Sequence, residues 1–248
     1  MEKVKYMLKP DWVSWESIHD CVAKASEINR KNGFCMQHST MSVQELEDYL
    51  KDGYCFIALL GEKVIGINAL KIVKSQMWWA KGNVGYEMLT DIDPEYKNTG
   101  AYWGLRKIRT NFAKQQGVSI LQFTTSENNT TVQEINLRFG FKYIRYYSSS
   151  ETWYYSVLMV RWIDECPYSD WYCDFRFKLS RFLTRLIWRP GRIPKFRPLR
   201  NCDYQKIHDS YLLCSDVMSK EEFCRKMEVN YLKYQKWEGK SIDQINGI

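Results

Sequence analysis

The sequence predicts an α+β fold: a mixed, mostly antiparallel central sheet flanked by helices, with a helical annex behind it. Three observations predict it. Apolar runs rich in β-branched and aromatic residues recur from Tyr54 to Trp162, separated by turn residues. Helical stretches precede these runs and interrupt them twice, between Tyr102 and Gly117 and between Asn129 and Phe139. From residue 165 onward the strand pattern stops, and basic, helix-periodic sequence takes over. The chain therefore divides into a domain over 1–164 and a basic helical extension over 165–248.

The elements follow in order. Ser14 is placed to cap a first helix carrying Ile18, Cys21, Val22, Ala25 and Ile28 on one face, and Asn32-Gly33 ends it. Phe34 to Met41 reads as a loop. Ser42 and Glu45 form a capping box that starts a short helix to Leu50. Tyr54–Leu60 and Val64–Val73 are strands joined by Gly61-Glu62-Lys63, and Gly66 marks a bulge or a close approach. Ser75 to Asn83 reads as a loop carrying Trp78-Trp79. A strand over Val84–Ile92 leads through a turn to the helix at Tyr102. Ser119–Thr124 is a strand, Asn129 precedes a short helix ending near Phe139-Gly140-Phe141, and strands follow over Lys142–Tyr147 and Thr152–Trp162. In the extension, Trp171–Arg189 reads as a basic amphipathic helix, Arg192–Pro198 as an extended linker, and Cys202–Leu213 and Ser219–Trp237 as two further helices.

Composition narrows the class. Hydrophobic residues at 45% and charged residues at 26% are those of an ordinary water-soluble globular chain. No run approaches the roughly 18 apolar residues of a membrane span. The start, Met1-Glu2-Lys3-Val4-Lys5, lacks the apolar core of a secretory signal. The 8 cysteines form no C-x-x-C pair and only 3 histidines accompany them, so zinc-ligand spacing is absent and no metal is expected. A reduced, cytoplasmic protein is the expectation. The net charge of +7 is unevenly spread. Residues 174–200 hold nine Lys or Arg and one Asp.

The stretch from Val84 to Phe141 carries the chemistry. A strand, a turn and a helix start present unpaired backbone N–H groups at the positive end of a helix dipole, which suits phosphate or pyrophosphate. Lys97, Asn98, Thr99, Gly100, Ala101 and Tyr102 form that loop and entry turn. Gly100 permits the tight turn and Lys97 adds a mobile cation.

Ile92-Asp93-Pro94-Glu95-Tyr96, the loop after it, and Gly140-Phe141 eleven residues beyond Asn129 together resemble the GCN5-related N-acetyltransferase (GNAT) superfamily. The resemblance spans about residues 10–162 and is strongest over 84–141. It implies transfer of an acyl group, usually acetyl, from coenzyme A to an amine. It also implies that Leu89, Thr90 and Ile92 on the strand offer backbone groups to the pantetheine and the thioester carbonyl. The loop Lys97–Tyr102 would bind the pyrophosphate, Thr99 would add a hydroxyl contact, and Asn129 would hydrogen-bond the cofactor arm. The sequence departs from the family pattern at Lys97, where Gln or Arg is usual. It departs again at Tyr102, whose side chain must point away from the phosphates. A third departure is Asn136, which stands seven residues after Asn129, where many members place the tyrosine that protonates the leaving thiolate.

Amine attack on a thioester needs a base for the amine and stabilisation of the oxyanion. Glu87 is the candidate base, and Asp91 shares its strand face by period-two parity. Asn136 and Tyr143 are the remaining catalytic candidates, with Tyr146 and Tyr147 as alternatives for the acid. His38, Trp78 and Trp79 are candidates for lining the acceptor site. The acceptor expected is a small amine or amino sugar. The alternative is a catalytically weak module that binds acyl-CoA or a partner without turnover.

The basic helix has three readings. Trp171, Phe175, Leu179, Phe182, Leu183, Leu186 and Ile187 share a face, which the first reading packs against the transferase domain. The second lays residues 171–189 on an anionic membrane. The third binds a phosphorylated acceptor, with nucleic acid ranked last because no recognition motif is present.

Overall fold

The computed structural model describes residues 2–31, 37–150 and 152–245. The expected helix end at Asn32-Gly33, and the first part of the loop expected after it, lie outside the described residues. Nine strands and eight α-helices are described: β1 Lys5–Leu8, α1 Trp15–Lys31, α2 Val43–Leu50, β2 Tyr54–Leu60, β3 Lys63–Met77, β4 Ala80–Ile92, α3 Ala101–Gln115, β5 Ile120–Ser126, α4 Thr130–Arg138, β6 Lys142–Ser148, β7 Tyr155–Trp162, α5 Asp170–Ile187, β8 Trp188–Arg189, β9 Ile193–Pro194, α6 Asn201–Leu212, α7 Lys220–Lys226 and α8 Tyr231–Ile245. Seven strands form one sheet in the order β1-β2-β3-β4-β5-β7-β6. The pairs β1–β2, β2–β3 and β3–β4 are antiparallel, while β4 and β5 run parallel. The expected mixed sheet flanked by helices is the sheet observed.

The chain forms two compact units. One comprises Met1–Phe123, Phe139–Lys142 and Met159–Pro167, and the other Thr124–Arg138, Tyr143–Leu158 and Tyr168–Ile248.

The first unit has two packed faces, and strand alternation sorts them. Cys55, Ile57 and Leu59 of β2 join Val64, Ile67 and Ala69 of β3 and Leu89 of β4 in a core with Ile18, Cys21 and Val22 of α1 and Leu46 and Leu50 of α2. Tyr54 and Phe56, at the opposite parity, meet Phe112 of α3 at ring-centroid distances of 4.6 and 5.3 Å. Local signals placed the helix starts correctly. Ser14 Oγ accepts from the Ser17 N–H at 3.3 Å, and the Ser42–Glu45 capping box has both of its bonds.

Two irregularities in β3 and β4 reshape that alternation. Ala58 faces Gly66 but Leu59 faces Val64, so one extra residue, Ile65, bulges beside the glycine. Ala69 faces Leu89 but Leu70 faces Glu87, so Met88 is the extra residue in β4. The region expected as a loop over Ser75–Asn83 is instead the end of a long hairpin, with Trp78-Trp79 as its two-residue turn. β-Pairing from Ser75↔Gly82 to Met77↔Ala80 satisfies the backbone groups that a loop would leave open.

In the second unit, α5 inverts the expected packing. Its inner face is small and polar: Cys173 is buried, Ser180 Oγ accepts from the Tyr146 N–H at 2.9 Å, and Thr184 Oγ1 donates to the Tyr146 carbonyl at 3.0 Å. Phe177 stacks on Tyr143 with centroids 4.8 Å apart. The apolar face expected to pack against the transferase domain is turned outward, because the two hydroxyls bond the β6 backbone and fix the helix's rotation. Two further expectations change here. Within the expected linker Ile193–Pro194 pairs as β9 with β8, formed by Trp188–Arg189 at the end of the expected helix, and the single helix over Ser219–Trp237 is two, broken at Glu228 with φ 56°.

Candidate functional site

The site is built on β4 and the entry to α3. β4 pairs with β5 over Val84–Tyr86 against Ile120–Gln122, and the Met88 bulge follows two residues later. Glu87, Leu89, Thr90 and Ile92 therefore lie just past the parallel pairing. The bulge overturns one expectation: Glu87 and Asp91 do not share a face. The extra residue shifts the parity, so Glu87 and Thr90 point toward α3 while Asp91 points toward the α1 side.

On the α3 side, Glu87 is the centre of a polar network. Arg109 Nη1 donates to Glu87 Oε2, and the Thr90 hydroxyl donates to Glu87 Oε1 at 2.5 Å. Asn68 Nδ2 in turn donates to the Thr90 oxygen at 2.5 Å. Arg109 is fully buried, at 0% exposure, and its Nε and Nη2 have no hydrogen-bond partner among the described residues. Burial pulls the guanidinium below its ordinary value, and Arg161 adds to that. Nothing local in the sequence marks Arg109, since its partner is 22 residues away.

On the α1 side, His38 Nε2 lies 3.4 Å from Asp91 Oδ2. His38 sits in a short 3-10 turn over Gln37–Thr40, and Asp91 is buried.

The phosphate-sized loop is a 3-10 turn over Pro94–Thr99. Asp93 caps it, accepting from the Glu95 N–H at 3.1 Å. Burial pushes the Asp93 carboxyl up, but that N–H and the Lys63 ammonium outweigh it and hold the group below its usual range. Gly100 follows at φ 80°, a left-handed conformation that L side chains rarely adopt, and α3 begins at Ala101. The N–H groups of a helix's first turn have no i−4 partner. Lys97, Asn98 and Thr99 are exposed, and the Thr99 hydroxyl is spent on the Tyr96 carbonyl at 2.7 Å. Tyr102 turns along the helix, where Arg106 Nη1 donates to its hydroxyl at 2.6 Å. The Arg106 guanidinium also lies 4.3 Å from the Phe139 ring centroid.

The other candidates are placed as follows. Trp78 and Trp79 meet edge to face with centroids 5.5 Å apart, and Trp79 is buried. In the second unit, Asn129 is the cap of α4: its Oδ1 accepts from the Val132 N–H at 3.4 Å. Asn136 is buried at 2% exposure and its amide donates to the Val132 carbonyl at 2.8 Å. The Tyr143 hydroxyl donates to Gln133 Oε1 at 3.1 Å, and burial, then Glu134, push its pKa up. Among the described residues there is no His, Cys, Asp or Glu group able to hold a metal.

Solved structures share this fold. A Desulfovibrio desulfuricans protein assigned to the GNAT acetyltransferase family is 12% identical with a TM-score of 0.51, over 64% of this chain and 99% of that one. A Pyrococcus horikoshii protein is 16% identical with a TM-score of 0.50, over 64% and 98%. A GNAT family acetyltransferase from Elizabethkingia anophelis with acetyl-CoA bound is 13% identical with a TM-score of 0.48, over 65% and 99%. No protein-family model and no curated protein matches the chain.

Proposed function

With the GNAT fold as the premise, we propose that this chain is an acyl-CoA-dependent N-acyltransferase. Acetyl-CoA is the co-substrate in this reading, and the acceptor is a small amine or amino sugar. The observation that carries the reading is the β4–loop–α3 unit. A strand bulged at Met88 runs into a left-handed Gly100 and an open helix N-terminus.

The backbone N–H groups at Gly100–Tyr102 would hold the pyrophosphate, with the Lys97 ammonium beside it. Backbone groups of Leu89, Thr90 and Ile92 would take the pantetheine amides. The bulge would re-aim an N–H near Leu89 at the thioester carbonyl, where oxyanion charge develops. The amine nitrogen attacks that carbonyl, the C–S bond breaks, and coenzyme A leaves as thiolate. Glu87 would accept the amine's proton, and its side chain is 11% exposed.

A second reading, a module that binds acyl-CoA without turnover, is favoured by two contacts. Both oxygens of Glu87 are already engaged, and the Asn136 amide is committed to its own helix. Titration calorimetry with acetyl-CoA, paired with a thiol-release assay over an amine panel, separates the readings. The transferase reading expects both binding and turnover. Tight binding with no turnover on any amine leaves the module, and absence of binding removes both.

A further inference from the structure

The outward face of α5 is the largest feature that the proposed reaction leaves unused. Trp171 is 72% exposed, Phe182 64%, Leu186 61%, Phe175 48% and Leu183 43%, all on one side of an 18-residue helix. Leu179, at 39%, and Ile187, at 37%, extend the same stripe. Single exposed apolar residues are ordinary, but a contiguous run along a whole helix marks a surface that something covers. Chain rotation does not explain the exposure. The inner face is fixed by Ser180 and Thr184 bonding the β6 backbone.

Charge says what covers it. From Asp170 to Arg200 nine Lys or Arg stand against Asp170 and Asp174; Lys178 pairs with Asp174, Arg185 with Glu127, Lys195 with Glu228 and Arg197 with Asp203, and four positive charges stay in excess. Immediately beyond β9 the chain adds Phe196, 78% exposed, between Lys195 and Arg197. A second copy laid stripe to stripe would gather a net excess of cations around an apolar seam, which is unfavourable. An anionic lipid surface supplies the opposite charge to that excess, and its acyl boundary takes Trp, Phe and Leu side chains. Helix α5 carries too many charges to span: no described helix is long and apolar enough to cross a membrane.

We propose that α5 is an interfacial helix that docks this protein on an anionic lipid surface through the Trp171–Ile187 stripe. The docking involves no step of acyl transfer, so it stands or falls separately from the enzymatic reading. The test uses the full chain with sedimented vesicles, one set of phosphatidylcholine alone and one with about a third phosphatidylserine. The expected result is co-sedimentation with the anionic set only, weakened by salt. Binding should fall by about tenfold or more in Phe182→Glu/Leu186→Glu. Both side chains are largely exposed, so this variant should melt where the wild type does. Trp171→Ala/Phe175→Ala provides a second, charge-neutral loss of the same binding. The proposal is overturned if the wild type stays in solution with anionic vesicles, or if both variants bind as well as it does. Light scattering gives the remaining contrary outcome, a wild-type dimer that Phe182→Glu/Leu186→Glu converts to monomer.

Discussion

Glu87 and Arg109 are unequal partners. Arg109 is wholly enclosed, and two of its nitrogens have no acceptor among the described residues. Glu87 keeps partial exposure and a second donor in Thr90. Removing one member of a buried pair costs about 3–5 kcal/mol when the other is left charged and unsatisfied. Glu87→Gln leaves such a guanidinium and should cost about 3 kcal/mol of unfolding free energy. Arg109→Met leaves a carboxylate that still has Thr90 and a path to water. It also removes two unpaired donors, so it should cost clearly less. Urea unfolding of both single variants and the double variant measures the asymmetry. Equal costs, or a larger cost for Arg109→Met, would contradict the geometry.

Among the elements, α3 is set by a close approach at Gly104. A Cβ there would overlap the Tyr6 ring of β1, whose hydroxyl donates to the Gly100 carbonyl at 3.4 Å. In an open helix, Gly→Ala gains about 1 kcal/mol of propensity. Overpacking costs about 1–3 kcal/mol, so Gly104→Ala should destabilise the wild type. With Tyr6→Leu the ring is gone and the sign should reverse, the added alanine then stabilising. Thermal melts of the four chains test this, and a gain from Gly104→Ala in the wild-type background would refute it. Short-range chemistry of this kind was partly legible in the sequence. Ser14, the Ser42–Glu45 box, Gly66 and the Gly100 turn announced themselves, because each acts on residues within a few positions. β1 was missed, being four residues ahead of Pro10 with no alternation to read. The break at Glu228 carries neither Gly nor Pro. The Met88 bulge has no residue signature, and without it the faces of Glu87 and Asp91 were read wrongly. For α5, periodicity showed that the seven apolar side chains share a face. It could not show which way that face turns, because this depends on Ser180 and Thr184 meeting a strand far away in sequence.

Across the whole molecule, the cysteines give a uniform readout of how firmly each unit is closed. The seven described cysteines are all free thiols. Cys21, Cys55, Cys173, Cys214 and Cys224 are buried, Cys166 is half-buried and Cys202 is exposed, while Cys35 lies outside the described residues. Only a thiolate reacts with a disulfide reagent or a maleimide. Burial pushes Cys21 to about 12, with Asp91 adding to it, and pushes Cys55 and Cys224 to about 11. At mildly alkaline pH those thiols should stay silent on two counts, being protonated and out of reach. Cys202 should label within the mixing time and Cys166 more slowly. The buried five should react only as their surroundings open. Mass-mapped maleimide labelling over a time course resolves every site at once. Cys21 and Cys55 report on the first unit, and Cys173, Cys214 and Cys224 on the second. Saturating acetyl-CoA, if held at the Gly100 turn, should slow the Cys21 and Cys55 rates, because a ligand that binds only the folded form lowers the open population in proportion to its occupancy. Native Cys55 or Cys224 labelling as fast as Cys202 would show that the enclosing core is not closed as described.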